Sequence, residues 1–203
     1  MLVHGLWMTG AVCAIQRAQL TRRGYRVAVF SYASIRRSLT DIASHLAQAI
    51  VALGTAPVHV VAHSLGGLVT LEMLSRHPEL PVGRVVLLGT SCAGSRAAQG
   101  LARSKVGRAM VGAAITQWQP ERGPIAAQKF EVGMIAGTLR IGLGQWVACL
   151  PRPHDGAVSV DETRMPGLRD HITVPVSHSG MILSGRVMQH IVRFLEHGRF
   201  AHP

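Results

Sequence analysis

The sequence predicts an α/β fold: a mostly parallel central sheet of about six strands, covered by helices on both faces, with no large cap domain. Three observations carry this. Short segments that are apolar nearly throughout alternate with longer segments of helical period, the pattern of a parallel sheet buried on both sides. Glycines stand where the helical segments should stop, at Gly24 and Gly54. One strand, Val58 to His63, turns at a serine straight into a helix. The 203 residues suit a single domain, 1–203, with a sizeable core and neither repeats nor a linker.

Taken in order, Met1 to Leu6 reads as the opening strand and leads into His4-Gly5-Leu6-Trp7. Val12 to Arg23 has helical spacing, and Arg26 to Tyr32 is the next strand. Ser38 or Thr40 is placed to cap a helix whose apolar positions are Ile42, Leu46, Ile50 and Leu53. Pro57 precedes the serine-bearing strand, and the helix after it runs from Leu68 to Arg76. Pro78 and Pro81 mark a loop before an apolar strand, Arg84 to Leu88. Gly94 to Gln119 is rich in Ala, Gly and Arg. Leu101, Val106, Met110, Val111, Ile115 and Trp118 fall on one face of it, so it reads as a covering helix, with a small lid at the site mouth as the alternative. Phe130 to Ala136 is a strand. Thr138 to Pro153 is an excursion with an apolar centre from Trp146 to Leu150. Ile172 to Val176 is the last strand, and Val187 to Leu195 is a closing helix.

The corner at Ala62-His63-Ser64-Leu65-Gly66-Gly67 has the layout of a nucleophile elbow, with Ala62 in place of the first glycine. Small residues are needed there because strand and helix approach closely and the serine is held in strained geometry with its hydroxyl outward. The first N–H groups of the helix then face whatever sits over Ser64, which suits a developing oxyanion. One strand–helix unit earlier, Gly5 permits a turn that frees the N–H of Leu6. With the N–H of Leu65 this makes a two-donor oxyanion hole.

A serine needs a base, because its free hydroxyl is a weak nucleophile. His178, in Ser177-His178-Ser179-Gly180 beyond the last strand, suits that role, since histidine exchanges a proton near neutral pH. Asp155, in the turn His154-Asp155-Gly156, is the expected acid that fixes the imidazole. Each group is expected beyond the C-terminal end of a parallel strand, the edge at which such sheets carry chemistry. Other histidines and acids compete. His63 is read as packing, His171 begins the last strand at the wrong end of the sheet, and Asp161, Glu162 and Asp170 lack the glycine turn after a strand. Trp7, Met8 and Met181 follow the site segments and are expected to give the mouth an apolar rim that binds an acyl chain.

Composition excludes several classes. Nearly half the residues are apolar and 15% are charged, so the chain is globular and not disordered. No run crosses a bilayer, and Met1-Leu2-Val3-His4-Gly5 does not read as a signal peptide, so a cytoplasmic location is expected. Cys13, Cys92 and Cys149 have no metal spacing, and no metal or cofactor is expected. Lys and Arg number 21 against 10 for Asp and Glu, a net +11, with lysine only at 105 and 129. Such a surface attracts anionic lipid head groups or acidic partners. The cations are spread along the chain and aromatics are few, so no nucleic-acid partner is expected.

Through Leu2-Val3-His4-Gly5-Leu6, Ala62-His63-Ser64-Leu65-Gly66-Gly67, His154-Asp155-Gly156-Ala157-Val158 and Ser177-His178-Ser179-Gly180, the chain resembles the α/β-hydrolase superfamily. It is similar to the small bacterial esterases and lipases and to their minimal, six-strand form. The likeness spans almost the whole chain. It implies Ser64 as nucleophile, His178 as base, Asp155 as acid, and Leu6 and Leu65 as oxyanion donors. It further implies cleavage of carboxylic esters of short to medium acyl or lipid-like substrates. Thioesterase or acyltransferase chemistry on the same triad is an alternative, as is a non-catalytic protein that docks on anionic membranes. Ala62 departs from the commonest pattern but matches small lipases with Ala-His-Ser-x-Gly. The excursion from Thr138 to Pro153 has no counterpart in it.

Overall fold

The structure is a computed structural model that describes residues 1–54, 57–142 and 149–202. Six parallel strands form its sheet: β1 (Leu2–Val3), β2 (Val29–Phe30), β3 (Val58–His63), β4 (Val82–Leu88), β5 (Val132–Gly137) and β6 (Asp170–Val174). They lie in the order β2-β1-β3-β4-β5-β6. Chain order reverses around β1, which places the loops after β1 and β3 side by side at the C-terminal edge. The helices are α1 (Ala14–Thr21), α2 (Leu39–Ala52), α3 (Leu65–Arg76), α4 (Arg96–Leu101), α5 (Lys105–Thr116), α6 (Arg122–Lys129) and α7 (Gly185–His197). No inserted cap domain interrupts this order among the described residues.

Strand alternation sorts side chains into two cores. Val60 and Ala62 of β3, Val85 and Leu87 of β4, and Val132 and Met134 of β5 face one side, where Ile42, Leu46 and Ile50 of α2 and Leu68 and Leu71 of α3 cover them. Val61, Val86, Leu88 and Ile135 face the other side, under Leu20 of α1 and Val187, Ile191 and Phe194 of α7. Phe194 is fully buried against Gly133, where a side chain on the strand would strike its ring. Burying a side chain of this kind contributes about 1.5–3 kcal/mol.

The helix signals act locally as expected. Ser38 caps α2, its Oγ accepting the Asp41 N–H at 3.1 Å. Ser184 caps α7 in the same way, accepting from Val187 N–H at 3.3 Å, and Gly198 ends that helix in the left-handed conformation at φ 69°. The segment 94–119 is not one covering helix. It divides into α4 and α5, capped by Ser95 and Ser104, and α5 kinks at Gly112, which abuts the backbone of Ile35. The excursion after β5 starts by continuing the sheet, since Thr138 and Leu139 donate to the carbonyls of Val174 and Val176. Most of its apolar centre, 146–148, lies outside the described residues.

Candidate active site

Ser64 stands at the junction of β3 and α3 with φ 53° and ψ −120°, a region that non-glycine residues rarely enter. Such geometry costs of order 1–3 kcal/mol and persists only where its surroundings hold it. Here the Ser64 N–H donates to Leu88 O at 2.8 Å. Its carbonyl accepts from Gly67 N–H at 2.9 Å and from the Thr90 hydroxyl at 3.2 Å. Glycine is required at 66 for space, because a methyl there would meet His4 O at 2.5 Å. The elbow is thus pressed against the His4-Gly5 turn. The contact lies between the start of α3, which carries the N–H of Leu65, and the turn that leads to the N–H of Leu6. Neither N–H has an acceptor among the described residues.

The turn that carries Leu6 is held by a buried histidine. The His4 ring stacks on Tyr32 with centroids 4.4 Å apart. Its Nε2 accepts the Tyr32 N–H at 3.2 Å, so the proton is on Nδ1 and is donated to Gly5 O at 2.9 Å. Burial lowers the pKa of this ring, which keeps that tautomer neutral. Trp7 follows at φ 57°, with its N–H on Ser34 Oγ at 3.2 Å. Its indole Nε1–H donates to Met110 O on α5 at 2.7 Å, so α5 borders the site mouth.

Asp155 and His178 meet directly. Asp155 is buried, and its Oδ1 accepts the N–H groups of Ala157 and Val158 at 2.9 and 2.7 Å. Oδ2 is left for His178 Nδ1–H at 2.7 Å. Because a carboxylate only accepts, the proton lies on Nδ1, and in the neutral ring Nε2 keeps its lone pair. The pair rests against Gly89, at φ 56° just after β4, where a side chain would strike both groups. Gly89 was not visible as a site residue; the signal is a glycine immediately after a strand of the sheet. Ser64 Oγ is hydrogen-bonded to neither nitrogen of His178 among the described residues. Catalytic contacts of this kind commonly tighten only once substrate is bound.

His63 does more than pack. It is 3% exposed, and its ring lies 4.8 Å from that of His178, centroid to centroid. Its Nε2–H donates to the backbone carbonyl of His178 at 3.0 Å. The competing groups serve structure. Glu162 accepts from Arg96 N–H, Ser159 N–H and Ser159 Oγ, while Asp170 holds Phe200 N–H and His202 at the far end of β6. His171 hydrogen-bonds Thr163.

Trp7 is exposed at the mouth and Met8 is half-buried. Met181 corrects the expected rim: it is fully buried in the core under α7, packed beneath Gly137, because the turn after His178 directs it inward. Among the described residues no three His, Cys, Asp or Glu side chains gather as metal ligands.

The chain matches the alpha/beta hydrolase family over residues 1–198. It belongs to that family. The structure of the α/β-hydrolase is similar to that of the mature Bacillus licheniformis lipase BlEst2, with a TM-score of 0.76, 21% identity, and 96% of this chain and 89% of that one covered. It is also similar to a monoacylglycerol lipase from Paleococcus ferrophilus, with a TM-score of 0.66, 16% identity, and coverage of 97% and 93%. A third likeness is to BpoC of Mycobacterium tuberculosis H37Rv, described as a non-heme bromoperoxidase, with a TM-score of 0.70, 17% identity, and coverage of 97% and 91%. A search of curated proteins found no match. At such identities the likeness fixes the fold of this α/β-hydrolase and leaves its chemistry to the site.

Proposed function

We propose that this α/β-hydrolase cleaves carboxylic esters through an acyl-serine intermediate. The observation that carries the reading is the His178–Asp155 hydrogen bond, which in the neutral ring leaves the lone pair on Nε2, together with the strained backbone of Ser64 at the end of β3. Ser64 Oγ attacks the ester carbonyl and passes its proton to His178 Nε2. Asp155 stabilises the imidazolium. The N–H groups of Leu6 and Leu65 hold the oxyanion, a contribution of about 2.7–4 kcal/mol per donor in known cases. Collapse expels the alcohol, which takes the proton from His178. Water then enters, gives a proton to His178 and bonds to the acyl carbon; the bond from that carbon to Ser64 Oγ breaks, Oγ takes the proton back from His178, and the acid leaves.

The rim supports a lipid-like substrate. Trp7, Ile35 and Met110 are exposed on one side of the mouth, and Leu139, Ile141 and Leu183 on the loops that follow β5 and β6. Two of the similar structures are named lipases, which favours an ester over other substrates. A fluorophosphonate probe with peptide mapping tests the mechanism. It should label Ser64 in the native protein, and Ser64→Ala should fold, escape labelling and lose turnover of p-nitrophenyl esters. Turnover that survives in Ser64→Ala overturns the assignment. Equal rates on apolar and polar acyl groups overturn the lipid-like substrate.

A further inference from the structure

We propose that His63 is a positioning residue for the hydrolysis described above, tethering the backbone of His178 to the strand that presents Ser64. The inference rests on that reading of the site and adds a residue to it. Its basis is connectivity. His178 sits in the loop between β6 and α7, residues 175–184. The described hydrogen bonds leading from that loop run to Leu139, to Asp155, to the carbonyl of Val174 and to Met188 and Val187 of α7. One alone reaches β3: the Nε2–H of His63 on the His178 carbonyl, 3.0 Å long and spanning 115 positions in sequence. The base is therefore fixed at three points. Its N–H is held by Asp155 O at 3.0 Å, its Nδ1 by Asp155 Oδ2, and its carbonyl by the residue adjacent to Ser64.

The other ring nitrogen argues that the imidazole is kept for this bond and not for its bulk. His63 Nδ1 is buried with no hydrogen-bond partner. It faces Gly5, where a side chain would approach it to 2.9 Å. A phenyl ring would fill the same space and bury no unsatisfied nitrogen. Retaining an imidazole makes sense if its single N–H is needed. In the neutral ring that N–H requires the Nε2–H tautomer. Burial, with the neighbouring His178 ring adding to it, pushes the pKa of His63 down to about 3, so the ring does not take a second proton near neutrality. Because the ring also rests on Gly5, it stands between the oxyanion turn and the histidine loop, and one side chain sets both against Ser64.

The test compares His63→Phe, which keeps the shape and removes the donor, with His63→Gln, whose side-chain amide reaches the position of Nε2. With a p-nitrophenyl ester, His63→Phe should lose kcat on the order of 100-fold, the effect of misplacing a reacting group by about 1 Å. KM should stay within a few-fold, since His63 touches no substrate, and fluorophosphonate labelling should slow in parallel. His63→Gln should recover most of kcat. Wild-type kcat in a folded His63→Phe overturns the proposal, as does an equal loss in both variants. If His63→Phe does not fold, ¹⁵N NMR of the native protein decides. An Nε2–H tautomer that persists between about pH 5 and 8 supports the tether, and an Nδ1–H tautomer excludes it. A native protein that is neither labelled nor active refutes the ester reading instead, and the tautomer still tests the tether.

Discussion

His63 also makes folding sensitive to acid. Its pKa falls from 6.5 in an exposed ring to about 3 in the folded protein, chiefly through burial. Between those values the unfolded chain binds the proton and the folded one does not, so stability rises with pH across the window. It is complete above about 6.5 and is lost progressively as pH falls toward 3, with a slope of at most about 1.4 kcal/mol per pH unit from this residue. His4 is shifted in the same direction and adds to the effect. The urea midpoint should therefore drop when pH is lowered from about 7 to 4.5, and His63→Phe should flatten that drop. A midpoint equally steep in the variant would show that the protonation lies elsewhere. At this scale the sequence was informative where chemistry is local. Ser64 sits in a six-residue pattern, and Asp155 binds its own turn through Ala157 and Val158. The link from His63 to His178 joins residues far apart in the chain, and no local pattern announces it. Met181 misled for the complementary reason: it follows His178 directly, but one turn of 3₁₀ helix is enough to point it into the core.

At the scale of elements, the junction of β3 and α3 is the least tolerant part of the fold. A Cβ at Gly66 would be driven into the backbone of Val3 and His4, which cannot rotate away, whereas one at Gly67 would press on the Thr90 side chain. Gly66→Ala should destabilise by about 1–3 kcal/mol, the usual range for overpacking a tight site, and separate the Leu6 and Leu65 N–H groups. Denaturant unfolding measures the first effect and the ester assay the second; a fully stable, fully active variant would contradict this packing. The six strands and the main helices were legible because each combines a continuous apolar run or a helical period with a stop signal. Strand ends were less so: β1 and β2 pair over two residues each, though the apolar runs containing them are longer. The segment 94–119 predicts one helix because its apolar face continues through the break at 102–104. Ser95 and Ser104, each accepting a backbone N–H three residues on, mark the two starts. Helix α6 has no counterpart among the predicted elements; its Pro124 falls in the first turn, where a proline is tolerated.

For the whole molecule, the distribution of charge is as informative as its sum. Arg36, Arg37, Arg103, Lys105, Arg108 and Arg140 are exposed on the segments that also present the apolar rim. Of the acids near this edge, Asp155 and Glu162 are buried, Asp161 is exposed and lies 3.8 Å from Arg164, and Asp41 is exposed in the first turn of α2. A face that is both apolar and cationic suits a surface of anionic lipid. Ser64→Ala, which cannot consume the lipid, should co-sediment with vesicles containing phosphatidylglycerol and leave those of phosphatidylcholine alone in solution. Salt at about 1 M, where the screening length is about 3 Å, should release it. Absence of binding to either vesicle would remove this face as a docking surface. None of the helices described is long and apolar enough to cross a membrane.

The bond from the Trp7 indole to the Met110 carbonyl has a mechanical consequence. It ties α5 to the residue that follows Leu6, so a displacement of that helix is passed to the turn after β1. A lipid surface that lifted the helix would, on the ester mechanism proposed above, tug on the peptide proposed to steady the negative oxygen.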